Sequence, residues 1–424
     1  MKKLLILMAI ALLLVPAAAF ARGSAEAEGP QQVSLTIAGR DGAYGDAMQL
    51  AADAYSAQNP NVSFEVLKLS GAALLEQTVV DLGSGTGTYD LIMIDDPNAP
   101  RMMEAGWLAN LDDLYAEKGM SLDPDLIPNV VQLGRQPYGA DGTLYALPHV
   151  GNVELFAYRQ DLAQKYGYAN AQTWEDVLDA AKTIAAREPD ITPILFRGSK
   201  GNPIVTGFLP IYWAFGADIL VDGKPAFNTP QARNAMNFFL ELAKYSPEGV
   251  SMYQSAQVRD ALYSGTGAIA IEVWPGWIGD LENPELSNVV GKVNVTTHPG
   301  QVEPSSPLIG VWLLGIPKDS QNIDTAFDFL QFITSADMQR EIAMETGIPP
   351  TRVSVHQDSE LQAKYPWYPP QLAGLQGGMA RPRTNFWGEI ETALGGFLQQ
   401  ALIGDLTARE ALAQTQAKVE EIVR

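Results

Sequence analysis

Residues 270–277 read AIEVWPGW, which sets a carboxylate, a Pro-Gly turn and two indoles in one short stretch. The apolar residues around Glu272 alternate and are β-branched, so they read as a buried strand that ends in the acid. Trp274 and Trp277 then fall on the loop that follows. In an open α/β sheet, ligands bind outside the carboxyl ends of strands, where loops and helix N-termini converge. The same rule selects Arg40, Asp41 and Tyr44 after VSLTIAG, and Asp95, Asp96 and Asn98 after YDLIMI. Carboxylates, amides and guanidinium groups pair with hydroxyls, and an indole covers the apolar C–H face of a sugar ring. The set suits a polyhydroxylated ligand.

Each residue also has an ordinary structural explanation. A tryptophan after a strand is more often a core plug than a platform, Asp95-Asp96 suits a helix cap, and Arg40-Asp41 suits a surface ion pair. Pro275-Gly276 forces a turn that exposes part of one ring. The shared position at strand ends is what raises the group above its members.

Signals for catalysis are weak. His149, His298 and His356 stand far apart with no metal-ligand spacing. GSGTG around Ser84 precedes a strand, whereas a nucleophile elbow or a dinucleotide loop follows one. Two carboxylates such as Asp96 and Glu272 are the residue types of glycoside hydrolysis, yet carboxylates that only bind hydroxyls look identical. No cofactor or metal is expected.

The elements that must position these residues alternate. Strand VSLTIAG is followed by a helix with Ala47, Leu50, Ala51, Ala54 and Tyr55 on one face and Asp46 as its expected N-cap. Strand VSFEVLKL, a helix over about 72–82 and the apolar strand YDLIMID continue the pattern of an α/β domain. The grammar returns in TWEDVLDAAKTIAAR with its Thr173–Asp176 capping box, in strand ITPILF, in the helix opened by Thr229-Pro230, and in strand AIAIEV. The C-terminal third is helical, with a stop at Gly347 and a second capping box at Thr407–Glu410.

Lys2 and Lys3, an apolar run from Leu4 to Val15 and Ala19-Phe20-Ala21 form an export signal over residues 1–21, followed by a flexible leader over 22–32. The chain has no cysteine, so neither disulfides nor a lipid-attachment cysteine are available, and a free periplasmic protein is expected. Its net charge is −21, or −23 without Lys2 and Lys3, which excludes nucleic acid as a partner.

YDLIMID with GWLANLDDL, GTLYALP, TWEDVLDAAK, the long run PLIGVWLLGIPKDSQNIDTAFDFLQFITSADMQ, GIPPTR and GDLTAREALAQTQAKVEEI together resemble extracellular solute-binding protein family 1. These are the sugar receptors of ABC importers, similar in layout to the periplasmic maltose-binding protein. The resemblance implies a two-lobed periplasmic-binding-protein fold of type II, with the ligand in a hinged cleft. It implies lobe 1 over 33–148 plus 309–355, and lobe 2 over 149–308 plus 356–424. Crossings are implied at ALPHVGN, bringing His149 and Asn152 into the cleft, at SSPLIGVW, bringing Trp312, and near TRVSVHQ, with Arg352 close by. RPRTNFWGEI matches the family's aromatic platform, which makes Arg383, Phe386 and Trp387 candidates. The implied ligand is a mono- or oligosaccharide, and the implied partner is an ABC permease served by a monomer. A glycerol phosphate receptor, with Arg40, Arg197, Lys200 and Arg383 as its basic groups, a polyamine receptor and an exported glycoside hydrolase are the alternatives.

Overall fold

A computed structural model describes residues 32–169 and 171–424. The export signal, and the leader apart from Gln32, lie outside these residues. Nine strands build two sheets: β1 (Val33–Arg40), β2 (Val62–Leu69), β3 (Leu91–Asp95), β4 (Ala146–Val150), β5 (Leu155–Arg159), β6 (Thr192–Leu195), β7 (Gly267–Val273), β8 (Val293–Thr296) and β9 (Trp312–Gly315). The first sheet has the order β2-β1-β3-β9-β4, and the second β8-β5-β7-β6. β1 runs parallel to β2 and β3, while β9 returns antiparallel between β3 and β4. In the second sheet β7 is parallel to β6 and antiparallel to β5. Helices cover both sheets, so β3 and β7 are apolar nearly throughout and buried on both faces.

Local sequence sets the element ends. Thr173 caps helix Trp174–Arg187, taking a bond from Asp176 N at 3.1 Å while Asp176 accepts from Thr173 N at 2.9 Å. Pro230 opens helix Pro230–Ala243 where its missing N–H costs nothing. Helix Ala336–Thr346 stops at Gly347, whose φ of 74° belongs to the left-handed region. Asp46 is not the N-cap expected of it. The first helix starts at Ala43, one turn earlier, behind Gly42. Asp46 instead sits in that first turn, where the helix dipole favours an anion, and pairs with Lys68 at 2.6 Å.

Three segments pass between the sheets side by side. Val153 bridges Ile309, and Leu308 bridges Met379. Their backbones bond through Glu154 N to Leu308 O (2.8 Å), Gly310 N to Asn152 O (3.0 Å) and Ile309 N to Met379 O (2.9 Å). The first crossing thus follows directly from the end of ALPHVGN, at Asn152–Glu154, and the second lies in SSPLIGVW. The third is at Met379, not near 351–357. Backbone bonds tie Thr351 and Val353 to Ile127 and Asp125, and the Arg352 guanidinium is buried against Asp123 (2.6 Å) and Asp125 (3.3 Å). That stretch is therefore held on the first sheet's side, and helix Tyr368–Gly377 intervenes before the chain crosses.

Burial pushes the pKa of His149, His298 and His356 down to about 4 from 6.5. A histidine held neutral in the fold contributes stability that is present above pH 6.5 and is lost as pH falls towards 4, because only the unfolded chain takes up the proton. His149 has no hydrogen-bond partner on either ring nitrogen. Replacing it with Leu removes this penalty and leaves no polar group unpaired. The gain in unfolding free energy over wild type should therefore be about 2 kcal/mol larger at pH 5 than at pH 8. Urea titrations at the two pH values measure that difference, and an equal gain at both would contradict it.

Candidate functional site

The register of the strands carries the site residues to one place. Trp312 on β9 lies opposite Asp95 on β3 and Val150 on β4, two residues before Asn152. In the second sheet Ala270 on β7 pairs with Leu195 on β6, and two residues further on Glu272 stands beside Arg197. The crossing segments bring these two strand-end sets face to face around a cavity of about 140 Å³. Arg40, Asp95, Asn152, Trp274, Trp277 and Trp312 line it, and they come from both sheets.

Three indoles form the walls. The Trp312 ring lies 5.9 Å from the Tyr44 ring, and the Arg40 guanidinium stands over it at 5.6 Å. Trp274 and Trp277 are 6.5 Å apart, and Arg197 covers Trp277 at 5.0 Å. Such guanidinium–indole contacts fix both partners in one orientation. Trp274 also fits against the crossing segment. A Cβ on Gly310 would stand 2.4 Å from its ring, so the backbone can pass there only as glycine.

The arginines of the site are paired with carboxylates. Glu272 is fully buried and accepts from Arg197 Nε (2.7 Å) and its Nη2, from Thr206 Oγ1 (2.9 Å) and from Trp274 Nε1 (3.1 Å). Glu272 thus ends its strand at the site, but behind the wall, as the anchor of Arg197 and Trp274. Asp96 is likewise buried, bonded to Arg381 and to Arg383 at 3.1 Å. Burial works against the charge on Arg381, yet Asp96 and Asp95 beside it prevail and hold its pKa up. Asn152 donates to the Tyr44 hydroxyl at 2.6 Å. Asp95 keeps 30 % of its side-chain surface exposed, and its carboxyl is pushed up to about 7 by burial, with Arg381 opposing and Asp96 adding to the rise.

Other candidates fall elsewhere. Asp41 is exposed and pairs outward with Arg40 at 2.9 Å. Asn98 lies in the short turn Asp96–Asn98 behind the Asp95 strand end. His149 is sealed inside β4, since alternate strand residues point to opposite faces. Arg383 reaches Asp96 and the Leu133 carbonyl (2.7 Å) and borders a different cavity with Tyr138. Trp387 is a core residue of helix Trp387–Leu402, 1 % exposed, and Phe386 just before it is exposed. The segment RPRTNFWGEI does supply a cavity residue, but it is Arg381, and its rings are not a platform.

Sequence reasoning missed Arg381, Asn202 and Thr206, which line the cavity, and weighed Arg197 only as a phosphate ligand. The signal for Arg197 was its position after strand ITPILF, the same rule that selected Glu272. Asn202 and Thr206 share a face at helical spacing at the start of helix Asn202–Ala214. Among the described residues no group of three His, Cys, Asp or Glu side chains is placed to hold a metal ion.

Two α/β lobes joined by three crossings, with a polar and aromatic site at their junction, define the two-lobed periplasmic-binding-protein class. Residues 41–340 match the family model described as bacterial extracellular solute-binding protein, and the chain belongs to that family. It is 26 % identical over 377 residues to a probable amino-acid ABC transporter periplasmic-binding protein of Sinorhizobium fredii, spanning 86 % of this chain and 83 % of that one. It is 25 % identical over 397 residues to the mannitol-binding protein of Pseudomonas aeruginosa, with 87 % and 88 % covered. The maltose-bound MalE3 of T. maritima superposes with a TM-score of 0.81 at 25 % identity, covering 92 % of this chain and all of that one.

The two kinds of ion pair should respond differently to truncation. Arg197→Ala strands the buried Glu272 carboxylate and should cost about 3–5 kcal/mol of stability. Arg40→Ala removes a half-exposed pair and should cost less than about 1 kcal/mol. Denaturant titrations compare them, and equal losses would show that Arg197 is not anchoring a buried charge.

Proposed function

We propose that this protein is the substrate receptor of an ABC importer and binds a neutral carbohydrate or alditol between its lobes. The observation that carries this reading is the pairing of charges around the indole-walled cavity. Arg40 pairs with Asp41, Arg197 with Glu272, and Arg381 with Asp96. A phosphate would need an uncompensated cation, and a polyamine an uncompensated anion. A neutral polyol needs fixed donors and acceptors beside an apolar plate, and these paired groups supply both. An amino acid, the ligand type in the name of the Sinorhizobium relative, would need one free charge of each sign at fixed separation.

The same pairing speaks against catalysis. Glu272 and Asp96 are both fully buried and held by arginines, so neither presents a carboxyl to the cavity as a general acid or base must. The protein then releases its ligand unchanged to a membrane permease. It acts in the periplasm as a monomer, exported by the signal over residues 1–21. We assign residues 33–151 and 310–378 to lobe 1 and the intervening and C-terminal segments to lobe 2, with hinge bending at the three crossings. Ligand is held on both lobes at once, so apparent affinity includes the closure equilibrium.

Tryptophan fluorescence and calorimetry test this with a panel of hexoses, hexitols and pentitols. At least one should bind, and Trp312→Ala should weaken it about a hundredfold by removing the plate. A panel in which only phosphate esters, polyamines or amino acids bind would overturn the reading.

Asp95 gives a pH signature. Its carboxyl titrates near pH 7, and the carboxylate accepts hydroxyl hydrogen bonds more strongly than the acid. Affinity for the bound sugar should rise severalfold from pH 6 to pH 8, and Asp95→Asn should flatten the profile. A wild-type profile that is flat or falling would contradict a direct role for Asp95.

A further inference from the structure

Two cavities meet at the loop Pro275–Trp277. The inner one is the 140 Å³ site. The outer one, about 710 Å³, also lies between the lobes, with Ala43, Ile348 and Tyr365 on one side and Arg259 and Tyr263 on the other. Trp277 lines both. The wall between them is completed by Tyr44, whose neighbour Ala43 borders the outer space. The Tyr44 ring leans on Trp312 inside the site, and its hydroxyl reaches across to the opposite lobe. A Cβ on Gly276 would stand 3.1 Å from that hydroxyl, so the Tyr44 side chain reaches the Gly276 backbone about as closely as a glycine permits.

Both halves of this wall are fixed. Asn152 bonds the Tyr44 hydroxyl at 2.6 Å. The Trp277 ring is covered by Arg197, and its carbonyl accepts from the Tyr263 hydroxyl at 3.0 Å. The inner space, about 140 Å³, is on the scale of a cavity of about 150 Å³ that takes one benzene ring, and is well short of the room for two ring units. A second sugar unit would have to pass through the wall into the outer space.

We propose that Tyr44, Gly276 and Trp277 form a partition that limits the ligand to one sugar unit or one short alditol. The outer cavity is the room that a second unit would occupy if the partition were opened. This rests on the carbohydrate reading above and adds a size limit to it. Tyr44 and Trp277 are the specificity-determining residues, because they bound the site in the direction of extension.

Calorimetry on the full chain tests the partition with D-glucose, D-tagatose, D-mannitol, ribitol, maltose and trehalose. Wild type should bind at least one of the first four and neither disaccharide. Tyr44→Phe keeps the ring and should keep that selectivity. Tyr44→Ala opens the wall and should bind a disaccharide at least tenfold more tightly than wild type does. Trp277→Ala is a second opening from the other lobe, should one variant fail to fold, and circular dichroism and a cooperative melt check each. Wild type binding a disaccharide as tightly as a single unit overturns the size limit and leaves the carbohydrate reading standing. So does the failure of both folded opened variants to gain disaccharide affinity. Wild type binding none of the six, nor any other sugar, overturns the carbohydrate reading and the partition with it.

Discussion

The backbone pairing of the three crossing segments is the constraint on which the site depends. Asn152 and Gly310 share a hydrogen bond there, as do Ile309 and Met379. Residues far apart in the chain, such as Asp95 and Trp274, face one cavity only because these short pairings fix where each sheet's carboxyl edge points. Little side-chain energy is involved. The pairing consists of a few ladder bonds, each worth roughly 1 kcal/mol net, and it leaves the backbone torsions of the crossings as the soft coordinates between the lobes.

Around that junction, two carboxylates are buried in compensated form. Glu272 and Asp96 are both fully enclosed, and each holds an arginine that meets the cavity or its border. Taking such pairs out of water rarely adds stability, and apolar replacements of similar volume are often as good. Their value here is positional. A guanidinium locked on a buried carboxylate presents its remaining N–H groups in one orientation, and the indole beneath it is held flat by the same contact. The site is therefore stiff before any ligand arrives, which lowers the ordering cost of binding.

Much of this was legible in the chain. Strand alternation and the strand-end rule located Arg40, Asp95, Glu272, Trp274 and Trp277, because those positions depend on local periodicity and one topological rule. The resemblance supplied Asn152 and Trp312 through the first two crossings. Other assignments depended on long-range packing, which periodicity does not encode. Arg381 and Arg383 are two residues apart around a proline and both pair with Asp96, so only the packed fold decides which one lines the cavity. Trp387 opens an amphipathic helix, and its burial is set by the neighbouring helix Ala408–Ile422. The third crossing was misplaced for a similar reason. Arg352 reads as a site arginine until Asp123 and Asp125 are seen to enclose it.

Gly310 ties the joint between the lobes to the aromatic wall. The Trp274 ring rests where that residue's side chain would be, directly on the backbone that must twist when the lobes rotate. Any change in the torsion of that segment presses on the ring or withdraws from it. The same indole is hydrogen-bonded to Glu272, which in turn grips Arg197. Rotation of one half against the other is thus geared to the tilt of a plate in the binding site, with no intermediary beyond a missing methyl group.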